Sequence, residues 1–180
     1  RVLNVLWHRL GGPSLDLLTG QHFDVAHSPT PLLLPSRDAR SIVTIHDLFF
    51  LEQPEATDGE VRRDYVSLVR SHAQRADGVL VVSETTATDV ESRLGVPRER
   101  IHVVHHGVDE RFASPRETWP QNDLAEENIP SLLAVATLEP RKNLPTLLKA
   151  ISLLKQRGWE GRLRIAGETG LDAERVDRTI

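Results

Sequence analysis

The chain is 180 residues long, with 22 Lys and Arg against 26 Asp and Glu and a formal net charge of -4 at pH 7. That length allows one or two domains with a buried core, and the acidic balance, with no long basic stripe, argues against nucleic acid as a partner. Cysteine is absent, which excludes a disulfide framework, a thiolate nucleophile and a cysteine-ligated zinc, and is compatible with a reducing, intracellular compartment.

No apolar run approaches membrane-spanning length and no signal-peptide pattern is present, so the expectation is a soluble chain, or one attached at most to a membrane surface. Short apolar runs alternate with helical patterns, the signature of βαβ units and a parallel sheet. Asp24-Val25-Ala26-His27-Ser28 and Ile42-Val43-Thr44-Ile45-His46-Asp47 read as strands that end in polar residues. A helix follows in which Val61, Tyr65, Leu68, Val69, His72 and Ala73 share a face, and then a third strand, Val79-Leu80-Val81-Val82-Ser83. Ser83 is placed to cap the next helix, which turns Ala87, Val90 and Leu94 inward and stops at Gly95 and Pro97. Ile101-His102-Val103-Val104 is a fourth strand, closing on His105-His106-Gly107-Val108-Asp109.

From Asp109 to Pro130 the composition shifts to Pro, Glu, Asp, Gln and Asn, which reads as a connection. A second series opens at Ser131. Leu132-Leu133-Ala134-Val135-Ala136 has the apolar run of a parallel strand covered on both faces, and Leu144, Leu147, Leu148, Ile151 and Leu154 recur at helical spacing. Arg162-Leu163-Arg164-Ile165-Ala166-Gly167 is the second strand of that series. The divisions expected are a partial Rossmann-like domain over residues 1–112, a linker over 113–130 and the start of another such domain over 131–180. Arg1 in place of an initiator Met, and a helix opening at Leu171, lead us to expect part of a longer protein.

Ligands of open parallel sheets bind beyond the carboxyl ends of the strands, where His27, His46, Asp47, Ser83, His106, Gly107 and the pair Arg141-Lys142 all fall. The loop Thr137-Leu138-Glu139-Pro140-Arg141-Lys142-Asn143 places two cations where a strand hands over to a helix. Asn143 suits the N-cap and Pro145 the first turn, so free N–H groups and the positive end of the helix dipole would face the same space as the cations. A helix terminus contributes roughly 0.3–1 kcal/mol toward an anion, and each charge-assisted hydrogen bond about 1.5–3 kcal/mol, enough together for a diphosphate without a metal. The alternative is a pair of solvated loop cations with Glu139 as their surface partner.

Neither G-x-x-x-x-G-K-[ST] nor G-x-G-x-x-G occurs, and there is no G-x-S-x-G elbow, which removes the usual support for nucleoside triphosphate hydrolysis, nicotinamide chemistry and serine hydrolysis. Gly167-Glu168-Thr169-Gly170 offers either a close backbone approach to a ligand or an ordinary βα turn. His46 is either a polarising imidazole held by Asp47, or a strand-end residue whose neighbour Asp47 caps the loop instead. His102, His105 and His106 read as incidental imidazoles at a strand end; a metal site would need further ligands in three dimensions, the nearest carboxylates being Asp109 and Glu110 in the loop, and none is expected.

Val43-Thr44-Ile45-His46-Asp47-Leu48, Val81-Val82-Ser83-Glu84, Arg100 to Asp109 and Thr137 to Asn143 occur in that order. The ordered set closely resembles the group 1, or family 4, retaining glycosyltransferases of the GT-B fold, especially bacterial mannosyltransferase-like members, from Asp24 to about Gly170. The resemblance implies an α/β chain with two Rossmann-like domains, both incomplete here, and a nucleotide-diphosphate sugar bound in the cleft between them. GDP-mannose is the first donor to try. It implies that Arg141 and Lys142 neutralise the leaving diphosphate and that Glu139 and Asn143 belong to the same donor loop. His46 would line the site beside donor sugar and acceptor, and the backbone of Gly107 and Val108 would lie nearby. No cofactor or metal is implied. The acceptor would be a glycan, a lipid-linked carrier or a small molecule, and the setting cytoplasmic, with lipid acceptors bringing the protein to the inner membrane face.

The chain departs from the family at His106, where Asn is usual, and we expect the glycine-rich N-terminal loop and the acidic pair of a later helix to lie outside it. The 180 residues alone are therefore expected to turn over little. A non-catalytic sugar-nucleotide-binding or interaction module on the same scaffold, or a sugar-nucleotide epimerase, remain the competing classes.

Overall fold

A computed structural model describes residues 7, 11–52, 65–113 and 129–170. The expected helix stretch around Val61, most of the expected linker and the helix expected from Leu171 onward lie outside the described residues. The chain divides into two compact units, Arg1–Asp109 and Glu110–Ile180.

In the first unit, β1 (Val25–Ser28), β2 (Arg40–Ile45), β3 (Gly78–Val81) and β4 (Ile101–Val103) form a parallel sheet in sequence order. The register pairs Val43 with Val79 and Ile45 with Val81, then Val79 with Ile101. β-Branched residues dominate these strands because their stiff side chains pack well on a pleated surface. The helices among its described residues include α1 (Leu15–Thr19), α2 (Phe49–Glu52), α3 (Val66–Arg75) and α4 (Glu84–Asp89). Ser83 caps α4 as its sequence position predicts, its hydroxyl accepting from the N–H of Thr86 at 3.1 Å. Past Asp89 the helix widens into a π turn, Val90–Leu94, and stops at left-handed Gly95. Gln74 of α3 donates to the terminal carbonyl of Leu94 at 2.8 Å, satisfying a group the helix itself leaves open.

Val43, Ile45, Val69, Ala73, Val79, Val81, Val90 and Leu94 are buried in one cluster, with Leu33, Phe50 and Tyr65 packed against it. At roughly 1.5–3 kcal/mol for each fully buried aliphatic side chain, this core dominates the stability of the unit. β2 begins at Arg40, two residues before the expected start, because Asp77 anchors its entry. The Asp77 carboxylate accepts from the Ser41 N–H at 2.8 Å, the Ser41 hydroxyl at 2.9 Å and Arg40 at 2.8 Å. Those bonds, the Ser41 N–H first, then the Arg40 guanidinium, lower the Asp77 pKa to about 2.

The second unit contains β5 (Ser131–Val135), α5 (Leu144–Gln156) and β6 (Arg162–Ala166), with β5 and β6 parallel. Here the expectation of a strand covered on both faces is corrected. Leu133 and Val135 are 67% and 75% exposed and share a face with the exposed Arg164 and Ala166, while Ala134, Leu163 and Ile165 on the other face are half-buried. Two strands and one helix, all that the described residues supply, are too little surface to cover both faces. On α5, Leu144 and Ile151 are buried as predicted, but Leu154 is 39% exposed.

Candidate functional site

Parallel pairing puts the loops after β1, β2, β3 and β4 along one edge of the first sheet. His46 follows directly on β2, and its carbonyl accepts from the Thr86 hydroxyl of α4 at 3.3 Å. Its Nε2 lies 3.3 Å from the carbonyl oxygen of Pro29 in the loop after β1. A carbonyl only accepts, so this bond puts a hydrogen on Nε2, and in the uncharged form of the ring Nδ1 is then the lone-pair nitrogen. The ring of His106 stacks on His46 with centroids 5.5 Å apart and planes 20° from parallel, within the offset-stacked range of aromatic pairs.

Asp47 does not hold His46. Its Oδ1 accepts from the Phe49 N–H at 3.1 Å, starting α2, the capping reading that the alternation of strand side chains allowed. Elsewhere on the edge, His105 Nδ1 donates to the Val82 carbonyl at 3.1 Å, and His27 Nε2 shares a hydrogen bond with Thr44 Oγ1 at 2.9 Å. The edge is therefore rich in imidazoles that are tied individually to the fold. Among the described residues no group of three His, Cys, Asp or Glu is arranged to hold a metal ion.

Gly107 and Val108 follow His106 in open positions. Val108 is 79% exposed. A Cβ on Gly107 would meet nothing within 4 Å, and its φ is not positive, so neither crowding within the unit nor backbone strain requires glycine there.

In the second unit the main chain carries the pairing beyond the strand ends. Ala136 N–H donates to the Ala166 carbonyl at 2.9 Å, and Leu138 N–H to that of Glu168 at 3.0 Å. A Cβ on Gly167 would run into the Ala136 carbonyl, and one on Gly170 into that of Leu138. Both glycines thus serve backbone-to-backbone contact beneath the loop, not approach to a ligand. Above this clasp, Pro140–Lys142 form a 3-10 turn and Asn143 takes the left-handed conformation, φ 50° and ψ 37°.

Two expectations about this loop need correction. Asn143 stands before α5 but does not cap its N–H groups; its Oδ1 accepts from the Thr146 hydroxyl at 2.8 Å. The supply of free N–H groups is also smaller than expected, since Pro145 has none and that of Thr146 is bonded to the Asn143 carbonyl at 3.1 Å. Left-handed backbone at Asn143 turns its side chain away from the N-cap geometry, which needs extended φ and ψ. Arg141 Nε donates to Glu139 at 2.6 Å, each side chain being at least a third exposed. The Lys142 ammonium has no hydrogen-bond or ion-pair partner among the described residues and is exposed. Glu139 therefore pairs with Arg141 but leaves Lys142 uncompensated.

The structure brings His46 and His106 together in one unit, and Glu139, Arg141, Lys142 and Asn143 together in the other. Sequence reasoning missed the supports: Pro29, Thr86 and the stacking face of His106 sit far from His46 in sequence, and no spacing rule joins them.

These features define an α/β chain of Rossmann-like parallel-sheet units of the GT-B kind, with polar loops at the carboxyl ends of the strands. The profile of Glycosyltransferase Family 4 matches residues 6–112, and the chain belongs to that family. It is 30% identical over 142 residues to a serotype-specific mannosyltransferase of Escherichia coli, covering 72% of this chain and 17% of the relative. Over 154 residues it is 27% identical to O-antigen chain mannosyltransferase B of Escherichia coli, covering 76% and 40%. Over 98 residues it is 32% identical to MMP alpha-(1->4)-mannosyltransferase of Mycolicibacterium hassiacum, covering 53% and 22%. The chain thus spans less than half the length of each of these relatives.

Proposed function

We propose that the protein is a retaining glycosyltransferase that moves a hexose, mannose first, from a nucleotide-diphosphate sugar to an acceptor hydroxyl. The observation that carries this reading is Lys142, an uncompensated, exposed ammonium where strand hands over to helix in a family whose relatives above are named mannosyltransferases. GDP-mannose is the first donor to test, and a glycan, a lipid-linked carrier or a small molecule the acceptor. The setting is cytoplasmic, with contact at the inner membrane face where the acceptor is lipid-linked. No helix among the described residues is long and apolar enough to cross a membrane.

In the reaction, the bond from the anomeric carbon to the diphosphate oxygen breaks while the acceptor oxygen bonds to that carbon on the same face. The acceptor proton passes to the leaving diphosphate. This needs no protein nucleophile; the protein stabilises charge that develops on the diphosphate, a preorganised electrostatic effect. Lys142 supplies a point charge. Arg141, with Nε engaged by Glu139, turns its terminal amino groups to the phosphate oxygens, the pairing for which a guanidinium is shaped. Asn143 fixes the turn that holds both. His46 orients and polarises the acceptor hydroxyl through Nδ1, and the uncrowded backbone at Gly107 and Val108 admits the donor sugar.

The test is release of nucleoside diphosphate by the full-length protein with donor and acceptor. Lys142→Ala should lower turnover roughly 100- to 1,000-fold, the range for removing one preorganised donor to a developing charge. Unchanged turnover would sink the assignment. Donor binding with neither transfer nor donor hydrolysis across an acceptor panel would make the protein a binding module, and an altered free sugar nucleotide would make it an epimerase.

A further inference from the structure

The His46 ring is exposed and has one hydrogen bond to the protein, the 3.3 Å contact with the Pro29 carbonyl. A single bond of that length sets which nitrogen carries the hydrogen but leaves the plane of the ring free to rock about it. The second restraint is the His106 ring, nearly parallel at 20° and 5.5 Å away. His106 occupies the position where the resemblance expects Asn, whose amide has no aromatic face to offer. Its neighbour His105 is tied to the Val82 carbonyl at 3.1 Å just beyond β3, so the segment carrying His106 is anchored to the sheet.

We propose that His106 is the positioning residue of His46. The stack fixes the plane of the His46 ring, the Pro29 carbonyl fixes its tautomer, and the two together present Nδ1 as the nitrogen that meets the acceptor hydroxyl. This rests on the role given to His46 in the proposed transfer. An aromatic pair is worth enough to change a rate by about 2- to 12-fold, which suits a residue that aligns a reacting group and does not itself react.

Three variants of the full-length protein separate the possibilities: His106→Ala, His106→Phe and His106→Asn. His106→Ala should lower kcat about 2- to 12-fold with the donor KM unchanged. Phenylalanine should restore kcat because it keeps a face to stack, whereas asparagine should not. Proton and nitrogen NMR of the imidazoles gives a readout that does not need turnover. The carbon-bound ring protons of His46 should lose a ring-current shift in the alanine and asparagine variants and keep it with phenylalanine, while its nitrogen shifts report hydrogen on Nε2.

Rescue by asparagine but not phenylalanine would overturn the proposal, since hydrogen bonding would then be the property that matters. Unchanged kcat and unchanged His46 resonances in His106→Ala would overturn it too. Full turnover in His46→Ala would instead refute the role of His46, and the NMR comparison would still decide whether the stack holds its ring.

Discussion

The two sheets use similar aliphatic strands in opposite ways. In the first unit Ile45 and Val81 have no exposure, whereas in the second Leu133 and Val135 are 67% and 75% exposed. The first unit holds its loops by a packed core, so His46 is presented from a rigid edge. The second holds its cation loop by main-chain contact, through the Ala136 and Leu138 hydrogen bonds and the two glycines beneath them. Similar sequence character therefore does not imply similar mechanical support.

Matched substitutions sharpen this contrast. The largest effect belongs to Ile45→Ala, which should cost about 2–5 kcal/mol because it leaves a cavity in a core that cannot fully collapse. Denaturant unfolding, combined with hydrogen exchange measured on peptides from the first unit, checks it. Gly167→Ala should cost roughly 1–3 kcal/mol, since the added carbon forces the Ala136 backbone to shift. Its signature is faster exchange confined to residues around 136–143. If that exchange is unchanged, main-chain contact is not what supports the loop.

A smaller effect comes from Asp77, whose folded pKa is held at about 2 against an ordinary 3.8. Because the folded value is the lower one, its stabilisation is present above pH 3.8 and disappears as the pH falls toward 2. Its side chain is 39% exposed, so solvent screening limits the contribution to roughly 0.2–1 kcal/mol. Asp77→Asn should flatten the stability profile of the first unit in that window and leave the second unaffected. The smallest expected effect is that of Leu133→Ala, within about 0.5 kcal/mol as for other exposed sites. A loss as large as that of Ile45→Ala would break the comparison, because it would mean that the Leu133 face is covered in the full-length protein.

Much of this was legible in the sequence because local patterns carried it. Apolar runs marked the six strands of the described residues to within two residues, and Ser83 and Gly95 marked a helix start and stop by their capping chemistry. The early start of β2 was not legible, since it depends on Asp77, far along the chain from Ser41. The exposure of Leu133 and Val135 was hidden because an apolar run looks the same whether or not neighbouring elements cover it. In the cation loop, Asn143 was recognisable as a residue of helix starts. Its left-handed backbone was not, because Asn is at home both as an extended cap and in that conformation. The candidate residues themselves stood out through order along the chain, but the stack of His46 on His106 is a tertiary contact that no periodicity encodes.

The clasp at Gly167 and Gly170 also bears on how the loop tolerates change. It holds Ala136 and Leu138 through their N–H groups and packs closely on their carbonyls, so with Asn143 kept as the turn residue the path of the segment owes little to the side chains at Arg141 and Lys142. Those two positions form a natural site for a combinatorial library screened against different donors, with both glycines and Asn143 held constant as its frame.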